Sequence, residues 1–225
     1  MEIRALNLLD QINDIVRNDI DPDFLKSFSI SMGWAYSDLY DELVCDQEAF
    51  GDGYCLEEFA RRRGTYTVRA LLRAAKLHGI PHEFRYLGCN GQHKLLVKVG
   101  RVILIQEPIL TLEDDPRTSE YKRELADSHG LIRQLELELG DRPFKVRDWS
   151  GCVLGVMLHG AAGPQFNAEH RALGALMLAV PDAAYRNWVL RLDLHSMATE
   201  GRGFEPEGRP DASAHQQDEV RVTLK

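Results

Sequence analysis

His82 to Pro108, HEFRYLGCNGQHKLLVKVGRVILIQEP, is the stretch whose reading decides the fold. Asn90-Gly91 suits a two-residue type I′ turn, in which both central residues need positive φ, and Gly100-Arg101 suits a type II′ turn with glycine first. The expectation is a three-stranded antiparallel meander over 82–107. If Cys89 faces Gln92 and Val99 faces Val102, then Tyr86, Leu95 and Gln106 share one row, and Phe84, Val97 and Leu104 the next. Because side chains alternate along a strand, the two faces separate. One carries Phe84, Tyr86, Leu95, Val97, Val99, Val102 and Leu104 and is the expected core face. The other mixes Leu87, Leu96, Ile103 and Ile105 with charge, setting Glu83 opposite Lys98 and Lys94 opposite Glu107.

Two readings of that mixed face follow. Cross-strand ion pairs contribute roughly 0.2–1 kcal/mol each and would keep the meander in register. Alternatively Glu83, Arg85, Lys94, Lys98 and Glu107 form a binding surface, with Glu107 and Lys94 as the candidates for catalysis. The aliphatic side chains beside them call for a cover in either case.

Working outward, Ile3, Leu6, Leu9, Ile12 and Val16 recur at helical spacing and predict an amphipathic helix ending near Asn18. Further helices are expected from Pro22 and from Ser37 through Asp46, with Ser37 as a cap. Two more, Leu56–Arg63 and Thr65–His78, would be separated by Gly64. After the meander, Tyr121, Leu125, Ile132, Leu135 and Leu139 form one stripe and predict a long covering helix over 116–139 that Gly140 ends. The apolar runs 152–158 and 173–180 read as strands buried on both faces, and the alternating run 188–194 as a strand nearer an edge. Beyond Met197 the chain is rich in Gly, Pro and acids with little to bury. The expectation is therefore an α+β protein with a helical part over 1–80, a mixed or antiparallel sheet over 81–197, and a flexible tail over 198–225.

A formal charge of −8 argues against a protein that coats nucleic acid through its overall field. Four cysteines without a Cys-x-x-Cys pair, and no apolar N-terminal run, point to a reduced cytoplasmic protein. No run approaches the ~18 apolar residues of a membrane span.

Residues 56–78 resemble a helix-turn-helix, in which Arg61, Arg62, Arg63, Arg69 and Arg73 would supply phosphate contacts; Arg73, however, falls where a buried apolar side chain belongs. The order helix, three strands, helix, strand over 65–158 resembles the core of the PD-(D/E)XK nuclease-like fold. That resemblance implies an acidic residue on the second strand and Glu-x-Lys on the third, holding a divalent metal and positioning water. Here His93–Val99 has no carboxylate, and Gln106-Glu107-Pro108-Ile109 has no lysine.

Other constellations fail on distance. His82, Cys89 and His93 could offer soft metal ligands, but Cys89 sits at the turn and His82 some 20 Å away at ~3.3 Å per residue. Cys152, His159 and Asp148 suggest a nucleophile, base and orienter, yet Cys152 and His159 lie at opposite ends of one strand, roughly 20 Å apart. The small-residue run His159–Gly163 lacks the residues of a phosphate-binding loop.

No metal or cofactor is called for. The leading expectation is a non-catalytic cytoplasmic protein that binds another macromolecule, either a protein partner or further copies of itself. The alternatives are a divergent PD-(D/E)XK-like nucleic-acid-processing enzyme of a toxin or defence system, and a DNA-binding regulator acting through 56–78.

Overall fold

The computed structural model describes residues 2–87, 91–110, 114, 116–129, 152–194 and 197. Within them the chain is α+β, with an N-terminal helical part followed by a mixed sheet. The helices are α1 (Glu2–Asp19), α2 (Pro22–Leu43), the single turn α3 (Gln47–Phe50) and α4 (Asp52–Leu77). The strands are β1 (His82–Leu87), β2 (Gln92–Val99), β3 (Val102–Pro108), β4 (Val153–Ala161), β5 (Leu173–Pro181) and β6 (Trp188–Asp193), with α5 (Glu120–His129) between β3 and β4. The strands lie side by side in chain order. All neighbours are antiparallel except β3 and β4, whose parallel pairing needs the long crossover that contains α5.

The helical part contains fewer breaks than the sequence suggests. Asp21 caps α2 by accepting from the Asp23 amide at 2.9 Å, Pro22 occupies its first turn, and the helix runs through Ser37 without interruption. Likewise α4 runs straight through Gly64, so the two-helix arrangement expected at 56–78 does not form. A glycine inside a helix costs about 1 kcal/mol relative to alanine. Burying Phe59, Thr67, Ala70, Leu71 and Ala74 along one face of α4 outweighs that.

The meander is present with one register correction. In the second turn Val99 pairs with Val102, and of the two central residues only Gly100 has positive φ (54°), as a type II′ turn demands. Asp19 at the end of α1 locks this turn, accepting from the Arg101 amide, Nε and Nη2 at 2.7, 2.8 and 2.7 Å. In the first hairpin, Leu87 pairs with Gln92, so the connection spans four residues and not two. Phe84 consequently faces Leu95 and Tyr86 faces His93, a slip of two from the expected rows. A slip of two preserves the faces. It does break the expected Glu83–Lys98 pairing, because Glu83 now faces Leu96 and Arg85 faces Lys94.

Both faces of the sheet are covered at its centre. Leu95, Val97, Val99, Val102 and Leu104 join one core with α1, α2 and α4. Leu96, Ile103 and Ile105 join a second with Leu125 and Ala126 of α5 and with Tyr185. The cover on that second face is thus α5, which begins at Glu120 and not at Pro116; the remainder of the expected helix, 130–139, lies outside the described residues, as does the tail 198–225. The expected core face fails at the margin: Phe84 and Tyr86 are 50% and 60% exposed and join neither core cluster of the described residues. Among the described residues β6 is an edge strand, as the alternating pattern of 188–194 suggested, and β1 is the other.

Candidate functional site

The two candidates for catalysis lie on the same face of the sheet, the one covered by α5, but each is engaged by a different partner. Glu107 at the end of β3 holds the Lys122 ammonium at 2.6 Å through Oε1, and Oε2 accepts from the Tyr185 hydroxyl at 3.3 Å. Lys122 also donates to the Arg117 carbonyl at 2.6 Å and lies 5.4 Å from the centre of the Tyr185 ring. Lys94 on β2 donates to the Gln106 carbonyl at 2.9 Å. Burial pushes the Lys94 pKa down and Lys122 adds to that, while Glu107 opposes it. Glu107 and Lys122 are both buried, so the pair excludes water as it ties α5 to the sheet. Tyr185 reaches Glu107 from a turn in which its own φ is +53°, a conformation that side chains with a Cβ rarely adopt. Asp182 holds that turn by accepting from the Arg186 amide and the Asn187 side chain at 2.8 and 2.9 Å.

Gln106, one residue earlier, points to the opposite face and into the helices. Its Oε1 receives His159 Nε2 at 2.7 Å and the Thr67 hydroxyl at 3.2 Å, and the Tyr36 hydroxyl donates to His159 Nδ1 at 2.7 Å. An amide oxygen can only accept, so Nε2 carries the imidazole proton and Nδ1 is the acceptor. Burial holds the His159 pKa well below its ordinary value, and the positive charges of Arg63 and Lys94 push the same way. The Tyr36 hydroxyl is pushed up to about 12, mainly by burial, with Arg63 opposing. These four groups satisfy one another deep in the protein, which is how polar side chains are kept in a core.

The sequence contained a signal for both networks. Gln106-Glu107 interrupts the otherwise apolar run of β3, and His159 ends the apolar run of β4. The partners Tyr36, Thr67, Lys122 and Tyr185 are distant in sequence and had no local signature.

The other candidates are dispersed. Cys152 directly precedes β4 and His159 lies near its far end, and burial raises the Cys152 thiol against the pull of nearby Lys98; Asp148 lies outside the described residues. His159, Gly160 and Ala161 belong to β4, so most of the expected small-residue loop is strand. His82 bonds to the Ile80 carbonyl and His93 packs on Tyr86, while Cys89 lies outside the described residues. Among the described residues no group of three or more His, Cys, Asp or Glu side chains is placed to hold a metal ion.

The arginines of α4 are engaged within the chain. Arg61 pairs with Glu58 at 2.6 Å and Arg62 with Glu42 at 2.5 Å, and Glu42 also accepts from Tyr66. Hydrogen bonds from Tyr66 and Arg62 hold the Glu42 carboxyl below its ordinary range. Arg69 lies over Tyr66 and Arg73 over Trp34, and Arg63 turns inward towards Tyr36 and His159.

The expected binding surface divides in the same way. Glu107 is buried and Lys94 and Lys98 are half-buried, leaving Glu83 and Arg85 of β1, which pair with each other at 2.9 Å with about a third of each side chain exposed. Among the described residues no strand lies beyond β1. The Lys98 amide donates to the Pro81 carbonyl at 2.8 Å, which makes Pro81–Lys98 a hydrogen-bonded pair. In an antiparallel ladder such pairs alternate with non-bonded ones, so Glu83 and Arg85 bond to β2. His82, Phe84 and Tyr86 therefore aim their amides and carbonyls away from the sheet. Their outward backbone and the half-exposed rings of Phe84 and Tyr86 occupy one margin of the molecule.

No protein-family model matches the chain, and no curated protein or solved structure matches it either.

Proposed function

We propose that the protein is a non-catalytic component that binds another protein chain, a different partner or a further copy of itself, by accepting an extended strand along β1. The observation that carries this reading is the outward backbone of His82, Phe84 and Tyr86 beside two exposed aromatic rings. Main-chain groups supply affinity in strand addition, and side chains at alternate positions supply choice of partner. Chemistry at the sheet centre is disfavoured by its own geometry: the Glu107 carboxylate has Lys122 and Tyr185 on its two oxygens, and His159 has both ring nitrogens bonded. A cytoplasmic location belongs to the same proposal. Its support is the set of thiols, of which Cys45, Cys55 and Cys152 are free, and among the described residues no helix is long and apolar enough to cross a membrane.

A second reading draws on the element order. α4, β1, β2, β3, α5 and β4 follow the helix, three strands, helix, strand order of the PD-(D/E)XK nuclease-like core, and β3 and β4 are the parallel pair. Lacking the carboxylate on β2 and the lysine after Glu107, such a chain would be a version without nuclease activity. Both readings converge on binding.

The test is a photo-reactive residue placed at Tyr86 in the full chain, expressed in its native cells. Irradiation is expected to give one or a few discrete protein adducts. The same group at Leu110, which is 75% exposed elsewhere on the surface, is expected to give none. Equal labelling at the two positions would overturn the docking reading.

A further inference from the structure

Resting on that docking reading, we infer that the strand added to β1 is β1 of a second copy, paired about a two-fold axis between the two Phe84 residues. The outward-facing residues His82, Phe84 and Tyr86 must become the hydrogen-bonded positions of any new ladder, because only their backbone groups are available. Two copies of one strand can then meet antiparallel in three registers that use at least two of these residues. Centred on Glu83, the pairing sets Glu83 against Glu83 of the second copy. Centred on Arg85, it sets Arg85 against Arg85. Only the register centred on Phe84 uses all three outward residues, and it alone is favourable for charge.

In that register Phe84 faces Phe84, His82 faces Tyr86, and each Glu83 faces the Arg85 of the other copy. Opposite charges directly across a ladder stabilise it and like charges destabilise it, so charge selects one register of the three. The Glu83–Arg85 ion pair already present within each strand would extend into a ladder of four alternating charges. On the other face the half-exposed aromatic rings would meet. The interface is isologous, as a two-fold dimer requires, and it joins two six-stranded sheets into one continuous sheet with β6 at both ends. A free sheet edge normally invites any exposed strand, and charged side chains on it discourage wrong partners. Glu83 and Arg85 fit that role, since their order is matched by their own reversed copy.

The experiment is sedimentation of the full chain as wild type, Glu83→Arg, Arg85→Glu, an equimolar mixture of those two variants, and the double variant Glu83→Arg/Arg85→Glu. Either single change places like charges across both pairs, and is expected to weaken dimerisation about tenfold or more. The mixture restores both attractive pairs as a heterodimer, and the double variant restores them in reverse. Recovery of the dimer in both would also show that the variants fold. A wild type that stays monomeric up to about 100 micromolar, single variants that dimerise as well as wild type, or no recovery in the mixture would each overturn the self-pairing. The two proposals fail separately. Adducts at Tyr86 with the mass of a different protein would refute self-pairing and keep the docking reading, whereas adducts of twice the chain mass support both.

Discussion

The centre of the sheet and its β1 margin solve the problem of polar groups in opposite ways. At the centre, Gln106 and Glu107 leave β3 in opposite directions and their acceptor oxygens are matched: Gln106 Oε1 by His159 and Thr67, the Glu107 carboxylate by Lys122 and Tyr185. One network is built of neutral groups with the Arg63 guanidinium beside it, the other on a carboxylate–ammonium pair, and the side chains of both are buried. At β1 the backbone of three residues faces outward, and two aromatic rings are half exposed. The difference separates two roles that polar groups along a strand can have. Matched groups in a core fix which elements pack on which face. Unmatched groups at a margin are where another chain can gain by binding.

Perturbing the centre should therefore cost stability, and perturbing the margin should cost association. The largest effect is expected for Lys122→Met, which leaves the buried Glu107 carboxylate without its counter-charge. Removing one partner of a buried pair destabilises by about 3–5 kcal/mol. Chemical denaturation should show that loss, and adding Glu107→Gln should recover much of it.

Acid should act next, through His159. Its folded pKa lies well below the unfolded value of about 6.5, so below that pH the unfolded chain binds a proton that the native protein excludes. The stability is fully present above pH 6.5 and is lost as the pH falls towards the folded pKa, at about 1.4 kcal/mol per pH unit for one proton. His170, whose pKa burial also lowers, adds to the same slope. Unfolding free energies between pH 7 and 5 should fall accordingly, and less steeply for His159→Gln.

Tyr36→Phe should cost about 1–3 kcal/mol, since it strands the Nδ1 acceptor of His159 in the core. The smallest effect on folding belongs to the margin. Glu83→Ala removes a partly exposed ion pair and should change monomer stability by at most about 1 kcal/mol, while weakening self-association measurably. If Glu83→Ala lowered stability as much as Tyr36→Phe, the distinction between centre and margin would fail.

How much of this could be read from the sequence depends on how local each signal was. The two faces of the meander were legible, because alternation survives a register slip of two, and the Gly100 turn fixed β2 against β3. The first hairpin misled because Asn90-Gly91 fits a two-residue turn, whereas the strands close at Leu87–Gln92 around a four-residue loop. Ser37 and Gly64 look like helix boundaries by propensity, yet α2 and α4 pass through them, since burial of a continuous apolar face outweighs a local preference. Glu107 and Lys94 were rightly placed on one face. That Lys122 and Tyr185 would occupy Glu107 was not legible, as both partners arrive from distant segments. The bareness of β1 was hidden for the same kind of reason: Phe84 and Tyr86 alternate like core residues, and only the packing of distant segments decides that they join neither core cluster.

The most direct test of the account is the exchange rate of the β1 amides, followed residue by residue as protein concentration is raised. In dilute solution the Phe84 and Tyr86 amides should exchange rapidly, while those of Glu83 and Arg85, bonded to β2, stay protected. Raising the concentration through the dimerisation range should protect Phe84 and Tyr86 as well, turning an alternating pattern into a continuous one. Phe84 and Tyr86 amides that are protected even at the lowest concentration, or that stay unprotected at the highest, would contradict it.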